Sequence, residues 1–370
     1  MTENLVHRIA FASIKGMNPT LGSELLARIG SERAFFDASA GSLAAVMGFN
    51  NRIFADSYRA GLLEKAKREA DFVTANNITP LYFTDAAFPQ RLVDINDAPA
   101  MLYTLGSADL NKGMMMAIVG TRHATPYGID FINRLVDEIS QTVAGGVTII
   151  SGLAFGADAA AHSAALRNDM PTAGVLAHGL NMIYPSRHRS LASDMVRHGG
   201  LLVTEYRSDA AVHKGNFIAR NRIVAALCDA LVVAESARKG GALISARLAS
   251  GYNRDVFALP GRTSDLYSQG CNHLIATHTA ALVETASDLI DAMRWPRKSL
   301  SPSQPSLFPE LSAEEQTVVD CLTLNGEAHL TQLTMLLNMP VSKVMALLID
   351  MEFKNLLITY PGGKYRLASR

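Results

Sequence analysis

Between residues 114 and 283, short apolar runs alternate with longer stretches whose apolar positions recur at helical spacing. The runs are Met115–Val119, Val147–Ile150, Thr172–Ala177, Leu201–Thr204, Ala230–Ala234 and Asp255–Leu259. They are rich in β-branched residues and nearly continuous in hydrophobicity, as expected of strands buried on both faces. Helical spacing fills the gaps, for example over Phe131–Val143 and Ala157–Leu166. Strand, helix, strand in this rhythm predicts βαβ units, and right-handed crossovers between them make an α/β, Rossmann-like, doubly wound parallel sheet.

The pattern differs at both ends. Residues 1–75 have helical spacing and no strand alternation, with turns at Ile14–Thr20, Ile29–Ser31 and Gly48–Asn51. This predicts a small helical domain of the sterile-alpha-motif or helix-hairpin-helix kind, either a packing module or a surface whose turn N–H groups face a DNA backbone. A lead-in segment over 76–113 joins it to the sheet, and the Rossmann-like domain is expected to run over 76–295. Residues 296–310 are rich in proline and serine and predict a linker. Beyond it, Ser312 and Glu315 form a capping box ahead of an apolar run. Helices near 313–324, 330–337 and 342–353, then two short strands, predict a winged-helix-like domain over 311–370. Its recognition-helix candidate carries only Lys343 and Lys354 as cations, so protein interaction is expected there ahead of groove reading.

Hydrophobic content of 48% and charged content of 18% exclude a largely disordered chain. No apolar run is long enough to span a bilayer, and the N-terminus lacks the layout of a signal peptide. Cys228, Cys271 and Cys321 are scattered, without metal-ligand spacing. A reduced cytoplasmic protein without membrane association, metal or cofactor is expected. The net charge is zero, yet residues 207–254 hold eight Lys/Arg against three acids. A basic face on a neutral protein suits a polyanion held at one place.

The polar motifs sit where the predicted strands end. Gly120 and Arg122 follow the first strand, without the glycine spacing of a dinucleotide site. Ser151, Gly152 and Gly156 follow the second, and the glycines leave room for an oxyanion to approach backbone N–H groups. Asp158 and His162 stand one helical turn apart, so the carboxylate either caps the loop or forms an acid–base pair. Capping is the expectation, because no nucleophile elbow accompanies them. Lys214, Phe217, Arg220, Asn221 and Arg222 combine cations, an amide and a ring within nine residues. That mixture suits single-stranded nucleic acid, with cations on phosphates and the ring on an unstacked base; Phe217 as a core residue is the competing reading. Gly240, Gly241 and Ser245 open a later helix and can hold a second phosphate, but the ending of a P-loop is missing.

Together these segments resemble the DprA/Smf family, the DNA-processing proteins of bacterial transformation. The resemblance runs over about Ala117–Val283, through Val119-Gly-Thr-Arg122, Tyr127-Gly128, Ser151-Gly-Leu-Ala154, His162, Tyr184-Pro185, Thr204-Glu-Tyr206, Arg220-Asn-Arg222, Pro260-Gly261 and Gly270-Cys-Asn-His-Leu-Ile275. It implies a non-enzymatic protein that binds single-stranded DNA, associates as a homodimer and loads the RecA recombinase onto incoming strands. It also implies that Arg122, Lys214 and Phe217 contact DNA, with Arg220 and Asn221 beside them. Three departures stand out: Ala157 before Asp158 where isoleucine is usual, Ile218 after Phe217 where proline is usual, and Gly240-Gly-Ala in place of a Ser-Gly-Ser start. The competing readings are a Rossmann-like nucleotide phosphoribohydrolase and a winged-helix regulator that senses a nucleotide.

Overall fold

The computed structural model describes residues 2–93, 95–298, 312–354, 356–360 and 363–367. The first part of the chain forms α1 (Thr2–Ala12), α2 (Pro19–Ile29), α3 (Glu32–Asp37), α4 (Ala40–Met47) and α5 (Asp56–Ala75). Next come β1 (Thr79–Tyr82), α6 (Gln90–Val93), β2 (Met101–Gly106), β3 (Met114–Val119), α7 (Pro126–Thr142), β4 (Val147–Ser151), α8 (Ala157–Arg167) and β5 (Thr172–Val175). The sheet is completed through α9 (Arg189–Arg197), β6 (Leu201–Thr204), α10 (Lys214–Leu227), β7 (Ala230–Val233), α11 (Ala242–Gly251), β8 (Asp255–Ala258), α12 (Gln269–Ala276), β9 (Ala281–Leu282) and α13 (Ala286–Met293).

All of these belong to one nine-stranded sheet and the helices around it, in the order β1-β2-β6-β5-β4-β3-β7-β8-β9. Strands β3 to β9 pair in parallel, as the alternating pattern predicts. From β3 the chain proceeds outward through β4, β5 and β6, then returns to place β7 on β3's other side. The crevice beyond the carboxyl ends of β3 and β7 is therefore the topological switch point, where open α/β sheets bind ligands.

Two features differ from expectation. The lead-in segment supplies β1 and β2, and β2 is antiparallel to both β1 and β6. The expected boundary at residue 75 does not divide the core either. Phe11, Phe35 and Phe54 share one apolar cluster with Tyr82, Leu102 and the sheet residues Ile150 and Val203. Residues 1–298 make a single compact unit, separate from 299–370. Arg59 explains much of the helical part's cohesion: it is buried and donates to the carbonyls of Phe35, Phe36 and Phe54. Those carbonyls lie at or beyond the ends of short helices, where a guanidinium meets otherwise unpaired acceptors.

The predicted linker begins too early. Trp295 is buried, Arg297 bridges to Val143, and the Lys298 N–H donates to the Thr142 carbonyl. The chain is thus held on the α/β unit through Lys298. Residues 299–310 of the predicted linker, and residue 311 after it, lie outside the described residues.

The second unit contains α14 (Ala313–Asn325), β10 (Glu327–His329), α15 (Leu330–Leu337), α16 (Val341–Phe353), β11 (Leu357–Tyr360) and β12 (Lys364–Leu367). Three helices close on a small antiparallel sheet of order β10-β12-β11, around Val318, Leu333, Val344, Leu348 and Met351. No single described helix in either unit is long and apolar enough to cross a membrane.

The expected capping box is present: the Ser312 hydroxyl accepts from the Glu315 N–H, and Glu315 accepts from the Ser312 N–H. Glu315 also takes the Lys354 ammonium at 2.6 Å, tying α14 to the end of α16. These donors, Lys354 first, hold the Glu315 carboxyl down to about 2 from its ordinary 4.5. A depressed carboxylate stabilises the fold above its unfolded value, and that stability is lost as pH falls toward the folded value. Acidification from pH 5 to 2.5 should therefore loosen α14 and α16. Hydrogen exchange over residues 313–354, corrected for the intrinsic pH dependence, should rise across this window. The rise should be distinctly smaller in Glu315→Gln, and an equal rise in both proteins would remove Glu315 as the cause.

Candidate nucleic-acid interface

The strand-end crevice is built from loops that hold one another in place. After β3, the Thr121 N–H donates to the Glu235 carbonyl at 2.8 Å. Glu235, buried at the end of the β7 segment, accepts from the Thr125 N–H and hydroxyl, both at 2.7 Å. Gly128, in the first turn of α7, lies so close to this carboxylate that any Cβ there would collide with it. One buried acid thus fixes both the Arg122 loop and the start of α7. Its environment is fully polar-satisfied only through these contacts, which makes it a positioning group.

After β4 the outcome differs from the phosphate-cradle expectation. The Ser151 hydroxyl is buried and donates to the Ile118 carbonyl at 2.6 Å. The N–H groups of Gly152 and Ala154 both donate to Asp158, at 3.1 and 3.2 Å. These two of the loop's donors are therefore satisfied from within. Asp158 closes the loop, as expected, and makes no hydrogen bond with His162. Burial pushes its carboxyl up, against the opposing pull of Arg220 and the loop N–H groups. His162 instead bonds Thr172 at 2.7 Å. Burial first, then Arg220 and His188, lowers its pKa to about 3, so it is neutral. Gly156, at a φ of 73°, abuts the Thr121 and Arg122 carbonyls and lets the β3 and β4 loops touch.

Helix α10 begins at Lys214, and His213 caps it by accepting from the Gly215 N–H. Its residues fan out in three directions. Arg220 points under the strand ends and is buried, donating to the Val175 carbonyl. Gly152 makes room for it, because a Cβ there would overlap the guanidinium. Phe217 and Asn221, both half-buried, line the crevice. The Arg122 guanidinium lies over the Phe217 ring, 5.7 Å from its centre. Lys214 is exposed at the helix start and does not line the crevice itself. Arg222 turns away: it pairs with Glu205 at 2.6 Å and faces a separate cavity of about 450 Å³.

The crevice, a cleft of about 370 Å³, collects most of the residues singled out in the sequence. Gly120, Arg122, Gly152, Phe217, Arg220, Asn221, Gly240, Gly241 and Ser245 all border it. Ser151, Gly156, Lys214 and Arg222 do not. Gly240 and Gly241 precede α11, whose N-terminus carries no side-chain cap. Ser245 is buried in that helix. The sequence reading missed Glu235 as an organiser and Tyr184 as a neighbour of Phe217, their ring centres 5.6 Å apart and edge to face. Nothing in local spacing signals either, since both depend on contacts across more than thirty residues.

Residues 79–294 match the family model of DNA recombination-mediator protein A. The chain belongs to this family. Protein Smf of Escherichia coli (strain K12) is 34% identical over 295 residues, 76% of this chain and 75% of that protein. DNA processing protein DprA of Streptococcus pneumoniae (strain ATCC BAA-255 / R6) is 38% identical over 206 residues, 56% of this chain and 71% of that one. The X-ray structure of DNA processing protein A from Streptococcus pneumoniae superposes with a TM-score of 0.62 at 29% identity, covering 79% of this chain and 98% of that one. A Helicobacter pylori DNA processing protein A, solved for its single-stranded DNA binding mode, superposes at 0.52 with 31% identity, covering 59% and 95%.

Two glycines at the cleft differ sharply in what they tolerate. Gly152→Ala should lower stability by about 2 kcal/mol, because the new methyl group forces the Arg220 guanidinium off its buried carbonyl. Gly241→Ala, at an ordinary φ of −61° with nothing within 4 Å, should change it by less than about 0.5 kcal/mol. Urea midpoints for the two variants test the comparison, and similar midpoints would show that Arg220 is not seated on Gly152.

Proposed function

We propose that this chain binds single-stranded DNA at the strand-end crevice and acts in the processing of incoming DNA during transformation and recombination. The observation that carries the reading is the Arg122–Phe217 pair at the cleft mouth. A permanently charged fork lies over a half-exposed ring, and the exposed Lys214 stands one helical turn away on the same helix. Cations of this kind track a phosphate backbone, while the ring accepts a base free of its duplex partner. The family membership and the DNA-processing names of its relatives support the same reading. So does the single-stranded DNA binding described for the Helicobacter pylori protein.

Within this reading the protein is a binding mediator in the cytoplasm, acts as a homodimer, delivers strands to the RecA recombinase and needs no cofactor. A hydrolase reading would place Glu235 or Asp158 as the acid–base group. Both oxygens of Glu235 accept from Thr125. Glu235 does not line the cleft, whereas Asp158 borders it with its Oδ2 accepting from the Gly152 and Ala154 N–H groups. Nucleotide turnover lost on Asp158→Asn would favour the hydrolase.

Each aromatic–base stack contributes roughly 1–3 kcal/mol, and a duplex hides the base faces. Phe217→Ala should therefore narrow the difference between single- and double-stranded affinity while leaving the salt slope nearly unchanged. Lys214→Ala and Arg122→Ala should each weaken binding by about 1–3 kcal/mol, and Lys214→Ala should lower the salt slope by about one. Fluorescence anisotropy across a salt series reads all three. Equal weakening of both DNA forms by Phe217→Ala would make Phe217 a structural residue.

Deleting residues 299–370 should leave single-stranded affinity within about threefold, because the proposed contacts all lie in the first compact unit. A large loss on truncation would assign part of the DNA interface to the second unit.

A further inference from the structure

The Phe217 ring is one member of a longer aromatic arc. Tyr184, in the connection after β5, meets Phe217 edge to face at 5.6 Å and is 47% exposed. A single turn over Ser186–His188 follows, and His188 in that turn meets Phe155 edge to face at 4.9 Å. Phe155, in the connection after β4, is 42% exposed. Its neighbour Gly156 abuts the Arg122 carbonyl, which brings the arc back to the cation at the cleft mouth. Adjacent strands lie about 4.8 Å apart, so successive strand-end loops present these rings at close intervals along one edge of the sheet.

Both rings lead back to the cleft, Tyr184 through its contact with Phe217 and Phe155 through its neighbour Gly156, which abuts Arg122. Arg187 in the Ser186–His188 turn and Arg189 at the start of α9 are both exposed. The nearest carboxylate along the chain, Asp194, is engaged by Arg197. An aromatic surface leading into exposed guanidinium groups is the combination that holds a nucleic acid strand by stacking and by phosphate contacts.

We infer that the DNA strand does not end at the Arg122–Phe217 cleft but continues over Tyr184, with Phe155 beside it, onto Arg187 and Arg189. This rests on the single-stranded DNA reading above and adds a second tract to it. Tyr184 and Phe155 supply further stacking faces, and the two arginines neutralise phosphates of the nucleotides that follow. The tract takes an unpaired strand of any sequence, because ring faces and phosphates carry no base code.

The test uses the full chain with oligothymidylate of about 20 nucleotides, across a salt series. Tyr184→Ala should weaken binding about tenfold with the salt slope retained, and Tyr184→Phe should stay within about twofold of the parent. Arg187→Ala combined with Arg189→Ala should lower the salt slope by about two. Both arginines are exposed, so this double variant keeps the test meaningful should Tyr184→Ala fail to fold. Phe217→Ala is measured in parallel to separate the two levels of the reading. If Phe217→Ala weakens binding while Tyr184→Ala and the double arginine variant match the parent, the second tract is wrong and the cleft stands. If neither Phe217→Ala nor any tract variant changes binding, both fall together.

Discussion

The crevice depends on one buried cation. Arg220 reaches from the middle of α10 beneath the carboxyl ends of β4 and β5, where its guanidinium donates to the Val175 carbonyl. Burial draws its pKa down, and Asp158 is the first group to oppose this. Asp158 in turn gathers the Gly152 and Ala154 N–H groups. Helix, loop and strand end thus meet around this guanidinium, with Gly152 leaving the room it needs. Phe217 and Asn221, three residues before and one after Arg220, border the same crevice beside it.

This explains which parts of the site were legible in sequence. Arg122, Phe217, Arg220 and Asn221 cluster as their motifs suggested, since strand-end loops of a parallel sheet converge wherever the strand order reverses. The assignment of roles was less successful. The glycine-rich stretch after β4 reads as an anion cradle, yet its N–H groups are consumed by Asp158 six and four residues onward. A glycine motif reports that backbones approach closely; it does not report what they approach. Here Gly152 makes way for a guanidinium and Gly156 for a neighbouring loop. Arg222 shows the limit of proximity in sequence. Two residues beyond Arg220 on the same helix, it points about 200° around the axis and pairs with Glu205 in a different cavity.

The sheet itself was predictable where burial on both faces makes strands uniformly apolar. Strands β1 and β2 escaped notice: Pro80 interrupts β1, and β2 is buried over Met101–Thr104 like the central strands but lacks the following helix that marks a βαβ unit. An edge strand tolerates proline, so its presence there agrees with the position that β1 takes at the sheet's margin. The helical segment was correctly read as helical, but its independence could not be judged from spacing. What binds it to the sheet is long-range burial, including Glu69 on α5, which accepts from the Ser208 N–H and hydroxyl beyond β6. Burial raises the Glu69 carboxyl while those donors restrain it.

In the second unit, topology and surface chemistry point in different directions. Three helices and a small antiparallel sheet follow the winged-helix plan, and α16 occupies the place of a groove-reading helix. A major-groove helix needs free cations for phosphates and polar side chains for base edges. Lys343 on α16 pairs with Glu314, and Lys354 just past its end pairs with Glu315 and Asp350. Its exposed positions at successive helical turns are Val341, Met345 and Ile349. Such a stripe set into a charged groove supplies no counter-charge to the phosphates. The arrangement of a DNA-binding motif is present here with Lys343 and Lys354 ion-paired, which is why fold alone does not assign this unit's role.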